Sequence, residues 1–347
     1  MLLYDAFKSI AFKFDPEKVH HSTIAYMRTF PYLAHTMGIE SNPDKYGLKV
    51  NGLFWKFPVG IAAGLDKNAE CVPFLDKLGM GAVEVGTITL QAQEGNPRPR
   101  IWRLPEIDSL RNAMGFPSDG VGVALPKLQG LGSRNTCLGV NIGKNKTTSE
   151  EDTAMEYAQL YQKTAMYSDY MVINISSPNT PGLRQFQKKD KLAPILEAVN
   201  EKKKDINRPL FLKISPDLAD EDLRMICELA KEYDLSGLIA TNTTSAHDFG
   251  VGGLSGNYLK TRARDMRAKV AEIIKEDRSL TLIGVGGIDS YQDIKDFWHI
   301  GGKFVQIYTA FIYKGPEILR EIKEGIDRDM DKLGVDSMTH LIENISK

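Results

Sequence analysis

Eight short apolar segments, spaced by amphipathic helical stretches, predict an α/β chain: a (β/α)8 TIM barrel with an N-terminal two-helix extension. Three observations carry this. The segments are apolar throughout instead of alternating, as parallel strands buried on both faces must be. Helical patterns such as EDTAMEYAQLYQKTAMY and DEDLRMICELAKEY lie between them. Finally, each segment ends in small polar or glycine residues, which places turns at one end of every strand.

In chain order the strands are PVGIAAG (58–64), AVEVGTI (82–88), CLGVNIG (137–143), YMVINIS (170–176), LFLKIS (210–215), GLIATN (237–242), LTLIGVGG (280–287) and KFVQIYT (303–309). The alternative, a doubly wound nucleotide fold, needs G-x-G-x-x-G after a strand; "GVGGID" and "GVGGLSG" have the wrong spacing. The second strand begins at 82 and the third at 137, 55 residues on, well beyond the roughly 30 residues of one βα unit. The surplus follows the C-terminal end of a strand, where barrel enzymes build their sites. It holds "EGNPRPRIWRLPE" and "RNAMGF".

Residues 1–40 stand outside the repeat, leaving 41–347 for the barrel. Leu3, Phe7, Ile10, Ala11 and Phe14 form one helical stripe. Asp15-Pro16-Glu17 reads as an N-cap, a first-position proline and an acidic first turn. Val19, Tyr26, Met27 and Phe30 form a second stripe, ended by Pro31. Two helices this short hold no core of their own, so their apolar faces are expected either on the barrel or on a membrane surface.

Composition narrows the function. The net charge of −1 offers no electrostatic footing for nucleic acid. Cys71, Cys137 and Cys227 have neither disulfide-framework nor zinc spacing, as in a reducing compartment. No apolar run is long enough to span a bilayer.

The strand ends present Ala63, Gly64, Leu65, Asp66 and Lys67, then Thr87, Asn141, Asn174 with Ser176 and Ser177, Lys213, Thr241-Asn242-Thr243, Gly286-Gly287 and Tyr308-Thr309. One such group is ordinary turn chemistry; a full ring of them at one mouth indicates a site. Histidine and carboxylates are scarce among them, which argues against a metal centre or a two-carboxylate hydrolase. Amides and hydroxyls suit a flat polar heterocycle. Glycines at the last strands, with "GGLSG" (252–256), suit a phosphate. A phosphorylated flavin combines both, and a lysine beneath it stabilises charge on the reduced ring.

The chain resembles the dihydroorotate dehydrogenases, specifically the membrane-associated, quinone-dependent class 2. The resemblance runs almost its full length, through "FKFDPEKVH", "GIAAGLDKNAE", "EGNPRPRIWRLPE", "RNAMGF", "NISSPNTPGLR", "LKISPD", "ATNTT", "GGLSG", "GVGGI" and "YTAFIYKGP". It implies FMN in the barrel mouth and oxidation of (S)-dihydroorotate to orotate, with a membrane quinone (ubiquinone or menaquinone) as acceptor. Ser177 would be the base, shaped by Thr180 and Phe116; the soluble class places a cysteine there. By the same resemblance Lys67, Asn112, Ala113, Met114, Gly115, Phe116, Asn174, Asn179, Asn242 and Thr243 would hold orotate. Ala63, Gly64, Leu65, Asp66, Lys67, Thr87, Asn141, Asn174, Lys213, Thr241, Gly256, Gly287, Tyr308 and Thr309 would contact FMN, and no metal is implied. The stretch 178–190 would be a lid. The two N-terminal helices would lie on the membrane and form a quinone tunnel marked by His20 and Arg103. With Met1 directly before these helices, the expected setting is the cytoplasmic face of a bacterial inner membrane. The alternatives are an FMN barrel acting on another heterocycle or with a soluble acceptor, and a non-enzymatic flavin binder or membrane-docked scaffold.

Overall fold

A computed structural model describes residues 2–277 and 279–346, without the side chains of Leu2 and Leu3; the placing of Leu3 on the first stripe and the reading of Met1 therefore lie outside the described residues. All eight expected strands form: β1 (Val59–Ile61), β2 (Ala82–Ile88), β3 (Cys137–Ile142), β4 (Tyr170–Asn174), β5 (Leu210–Ile214), β6 (Gly237–Ala240), β7 (Thr281–Val285) and β8 (Phe304–Ile307). They close into a parallel barrel in which β8 pairs with β1. Every strand is buried along its whole length, which is why the segments read as unbroken apolar runs.

A hairpin of Leu48–Val50 and Leu53–Trp55 plugs the N-terminal end of the barrel. Its turn is Asn51-Gly52, both with positive φ, the backbone that a two-residue hairpin loop requires. The fully buried Trp55 stacks on Phe304 with ring centroids 4.4 Å apart. Both residues at this floor belong to the barrel's lower end, so the site must open at the other.

At that other end the surplus after β2 folds into an antiparallel sheet. Ile101–Leu104 pairs with Ser109–Asn112, which pairs in turn with Gly253–Gly256 from the stretch after β6. The "GGLSG" motif is thus an edge strand, and its register sets Gly253 opposite Asn112. Gly256 has φ +85°, and a Cβ there would come 2.5 Å from the Asp108 carbonyl, so only glycine fits.

The N-terminal segment forms α1 (Leu2–Ala11) and α2 (Pro16–Thr29), with Asp15 capping the amide of Lys18. α2 is tied to the barrel by a buried ion pair: Arg100 donates from Nη2 to Glu17 Oε1 at 2.7 Å. Ile24, Met27 and Ala34 then join the main core. α1 docks differently. Tyr4 donates its hydroxyl to the Ile312 carbonyl (2.7 Å), Lys8 donates to that of Tyr313 (3.0 Å), and Phe12 meets the Tyr313 ring edge-on. Phe7, Ile10 and Phe14 remain exposed at 49, 61 and 62%. Phe7, Ile10 and Phe14 therefore face away from the barrel, whereas Ala11 and the Ile24 and Met27 of α2 are buried.

Candidate active site

A cavity of about 340 Å3 opens at the C-terminal ends of the strands, a size suited to a small molecule. Lys67, Asn112, Ser177, Asn179, Lys213 and Thr243 line one part of it. Gly256, Gly286, Gly287 and Tyr308 line another. One cavity thus brings together the amide set and the glycines.

The amides are locked by one another. Asn174 Nδ2 donates to Thr87 Oγ1 (3.0 Å) and Asn141 Oδ1 (3.1 Å), and Thr87 Oγ1 donates to Asn141 Oδ1 at 2.6 Å. Asn242 Nδ2 reaches Ser176 Oγ at 3.0 Å, giving that serine a loop-supporting role. Asn179 Nδ2 donates to Asn112 Oδ1 at 2.8 Å. Asn96, which the sequence did not single out, donates to the Ala113 and Asn179 carbonyls, both at 3.0 Å, and so joins the loop after β2 to the loop after β4. Ser177 is 5% exposed, faces the cavity, and its Oγ accepts the Asn179 amide N–H at 3.2 Å. Phe116 also lines the cavity, at φ +53°.

The expected lid, 178–190, is fastened down. Arg184 donates to the Ser176 carbonyl (3.0 Å), the Thr243 carbonyl (2.7 Å) and Asp217 Oδ2 (2.8 Å), bridging the loops after β4, β5 and β6. Leu183 and Phe186 beside it are buried.

Several expected site residues point elsewhere. Asp66 spends both oxygens on the Glu70 and Cys71 amides, 2.8 Å each, at the start of the next helix, so its side chain holds the loop instead of facing the cavity. Leu65 is buried and turns toward a second cavity of about 720 Å3, under α2. Asn141 sits below the cavity, acting through Thr87 and Asn174. The Ala113 side chain stays off the cavity wall among the described residues, while its carbonyl is held by Asn96. Thr180 is buried with an unpartnered Oγ1 and does not line the cavity. His20 lines the second cavity, its Nε2 3.5 Å from Lys67 Nζ. Burial first, then the Lys67 and His21 charges, hold His20 well below its usual range, hence neutral. Arg103 instead serves α1, donating to the Phe14 carbonyl at 2.8 Å and stacking over Phe12. Two residues that the resemblance assigns to one tunnel are thus anchored to different partners.

Lys67 also donates to the Gly64 carbonyl at 3.0 Å. Burial pulls its ammonium down to about 8; Glu17 and Asp66 oppose that shift, and Arg100 adds to it.

Among the described residues, two buried atoms at the cavity have no partner: Gln306 Oε1 and Thr243 Oγ1. Buried polar atoms without partners are costly, so these two mark places for a bound group's donors. A flat heterocycle with both donors and acceptors, carrying a phosphate toward the glycines, fits this set.

Fold and site together define an enzyme-type barrel with a polar cavity at the C-terminal ends of its strands. The chain belongs to the dihydroorotate dehydrogenase family, whose model matches residues 47–330; it is an oxidoreductase. It is 39% identical to "Dihydroorotate dehydrogenase (quinone)" of Aliivibrio fischeri over 94% of this chain and 100% of that one. The protein of the same name in Kocuria rhizophila is 41% identical over 94% and 98%. Among solved structures, DHODH of Eimeria tenella in complex with ferulenol superposes with a TM-score of 0.85, at 33% identity and 95% coverage of both chains.

Proposed function

We propose that this chain oxidises dihydroorotate to orotate in pyrimidine biosynthesis, using FMN in the main cavity and a membrane quinone as final acceptor. The observation that carries the reading is the convergence of Ser177, Lys67 and the interlocked amides on a cavity that Gly256, Gly286 and Gly287 also line. When bound, FMN supplies the hydride acceptor. The protein's residues do the rest. Lys67 offers its ammonium to the substrate carboxylate, while Asn112, Asn179 and Asn242 fix the ring edges in one orientation. Ser177 takes the proton from C5, with Thr180 next in the relay. Gly256, Gly286 and Gly287 leave backbone N–H groups open to the phosphate. Arg184 keeps the 178–190 loop closed so that water is excluded.

The exposed Phe7 and Ile10 of α1, with Phe14 just after it, support a membrane-lying extension over residues 1–40, with 41–347 forming the FMN barrel. No helix among the described residues is long and apolar enough to cross a membrane. A peripheral place on the cytoplasmic face of a bacterial inner membrane fits this reading. An anaerobic visible titration tests it: dihydroorotate should bleach a yellow protein and a quinone should restore the colour. Failure to bleach would remove the substrate assignment.

A pH prediction follows from Lys67. The ammonium pairs with a carboxylate, and in the free protein it is present below about 8 and lost above it. The dissociation constant of orotate should therefore be flat below that point and rise about tenfold per unit above it. Spectral titration of orotate across pH 6–10 checks this, and Lys67→Met should abolish the step.

A further inference from the structure

Glu84 sits in the middle of β2 and is fully buried. Its Oε1 accepts from Asn141 Nδ2 on β3 (2.8 Å) and faces Lys213 Nζ on β5 (3.3 Å); its Oε2 accepts from Gln306 Nε2 on β8 (2.7 Å). One carboxylate therefore ties four strands together directly beneath the cavity. Lys213 and Gln306 line that cavity, whereas Glu84 does not.

Barrel interiors are ordinarily filled by branched apolar side chains. A buried ion pair adds little stability over an apolar filling, because desolvation offsets the attraction. Stability alone does not explain this one. A buried lysine without a counter-ion gives up its proton readily, and a lysine that has done so brings no charge to a cofactor. Gln306 Nε2 also reaches Tyr170 Oη at 3.1 Å, so the carboxylate is braced from the barrel floor as well.

We propose that Glu84 is a positioning residue that fixes both the location and the positive charge of Lys213 against the bound flavin, and so sets how readily the flavin accepts electrons. The inference rests on the flavin reading above. The charge next to a flavin ring is a principal control on its electronics, and Glu84 exerts that control through Lys213 without touching the ring.

The test compares holoenzymes of the native protein, Glu84→Gln, Lys213→Gln and the double variant. Each is titrated anaerobically against a reference dye to obtain the reduction potential of its bound FMN. With the carboxylate gone, Lys213 loses its fixed charge and reduced flavin loses its stabilisation. Glu84→Gln should shift the equilibrium toward the oxidised form by at least tenfold, about 30 mV for a two-electron couple. In the Lys213→Gln background the same change should shift it less than about threefold. An unchanged potential, a shift toward the reduced form, or an equal shift without Lys213 would overturn the proposal. If Glu84→Gln fails to fold, Glu84→Asp carries the test: it keeps the charge, stretches the contact, and should move the equilibrium the same way by at least threefold. No movement there overturns the proposal too. A native protein that stays colourless and cannot be reconstituted with FMN would instead remove the cofactor reading, and this inference with it.

Discussion

Ser177→Ala should yield a folded, yellow protein whose flavin is reduced by dihydroorotate about 10^2–10^4-fold more slowly, the usual loss on removing a general base. The serine is a lining residue and its hydroxyl oxygen already accepts the Asn179 N–H, which fixes where the Oγ lies. Removing one hydroxyl from this spot leaves the interlocked amides untouched, since none of them uses Ser177 as a partner except through that backbone contact. Orotate affinity should therefore change little while the chemical step collapses. A hydroxyl is a poor base, and a thiol titrates near pH 8.5, so Ser177→Cys should regain part of the rate and show it rising with pH. Stopped-flow reduction of the flavin under anaerobic conditions separates this step from reoxidation. A Ser177→Ala rate within about threefold of native would remove Ser177 from the base role and turn attention to Lys67, whose ammonium, pulled down to about 8, has a neutral form within reach.

Strands buried on both faces carry their own signature, so the barrel was legible in the sequence almost residue by residue. So was the polar mouth, because strand ends and their turns are contiguous in the chain. Pairings between distant segments were not. Nothing local in "GGLSG" says that it will pair with Ser109–Asn112, since the hydrogen bonds are backbone groups with no side-chain periodicity to reveal them. The floor hairpin carries a local signal in Asn51-Gly52 between apolar neighbours. Glu84 and Gln306 were also visible, as lone polar residues inside "AVEVGTI" and "KFVQIYT". The stripe on α1 could state only that an apolar surface waits for a partner. Which way it faces depends on Tyr4 and Lys8 finding the carbonyls of Ile312 and Tyr313, a contact spanning more than 300 residues of chain.

A variant lacking residues 1–14 should reduce its flavin with dihydroorotate at close to the native rate yet bind membranes poorly and reduce a lipid-embedded quinone far more slowly. Phe7, Ile10 and Phe14 go with the deleted segment, and since each is about half exposed, burying what remains in lipid is worth about 0.8–1.8 kcal/mol apiece. Their loss should lower partitioning onto vesicles by at least about 50-fold. The cut at residue 14 matters, because α2 belongs to the barrel's own structure. Removing α2 as well would strip Arg100 of its Glu17 partner. It would also strip Ile24 and Met27 from the core and take His20 from beside Lys67. That deeper deletion should impair both half-reactions through instability and a displaced lysine, and it would say little about quinone access. The shorter one removes the apolar face together with Lys8, which lines the cavity beside Tyr313, and leaves α2 and its ion pair in place. Vesicle co-sedimentation and the two half-reactions, measured on the same preparation, give the answer. Full vesicle binding without α1 would assign the exposed stripe to something other than lipid, and equal loss of both half-reactions would place α1 in the catalytic fold itself.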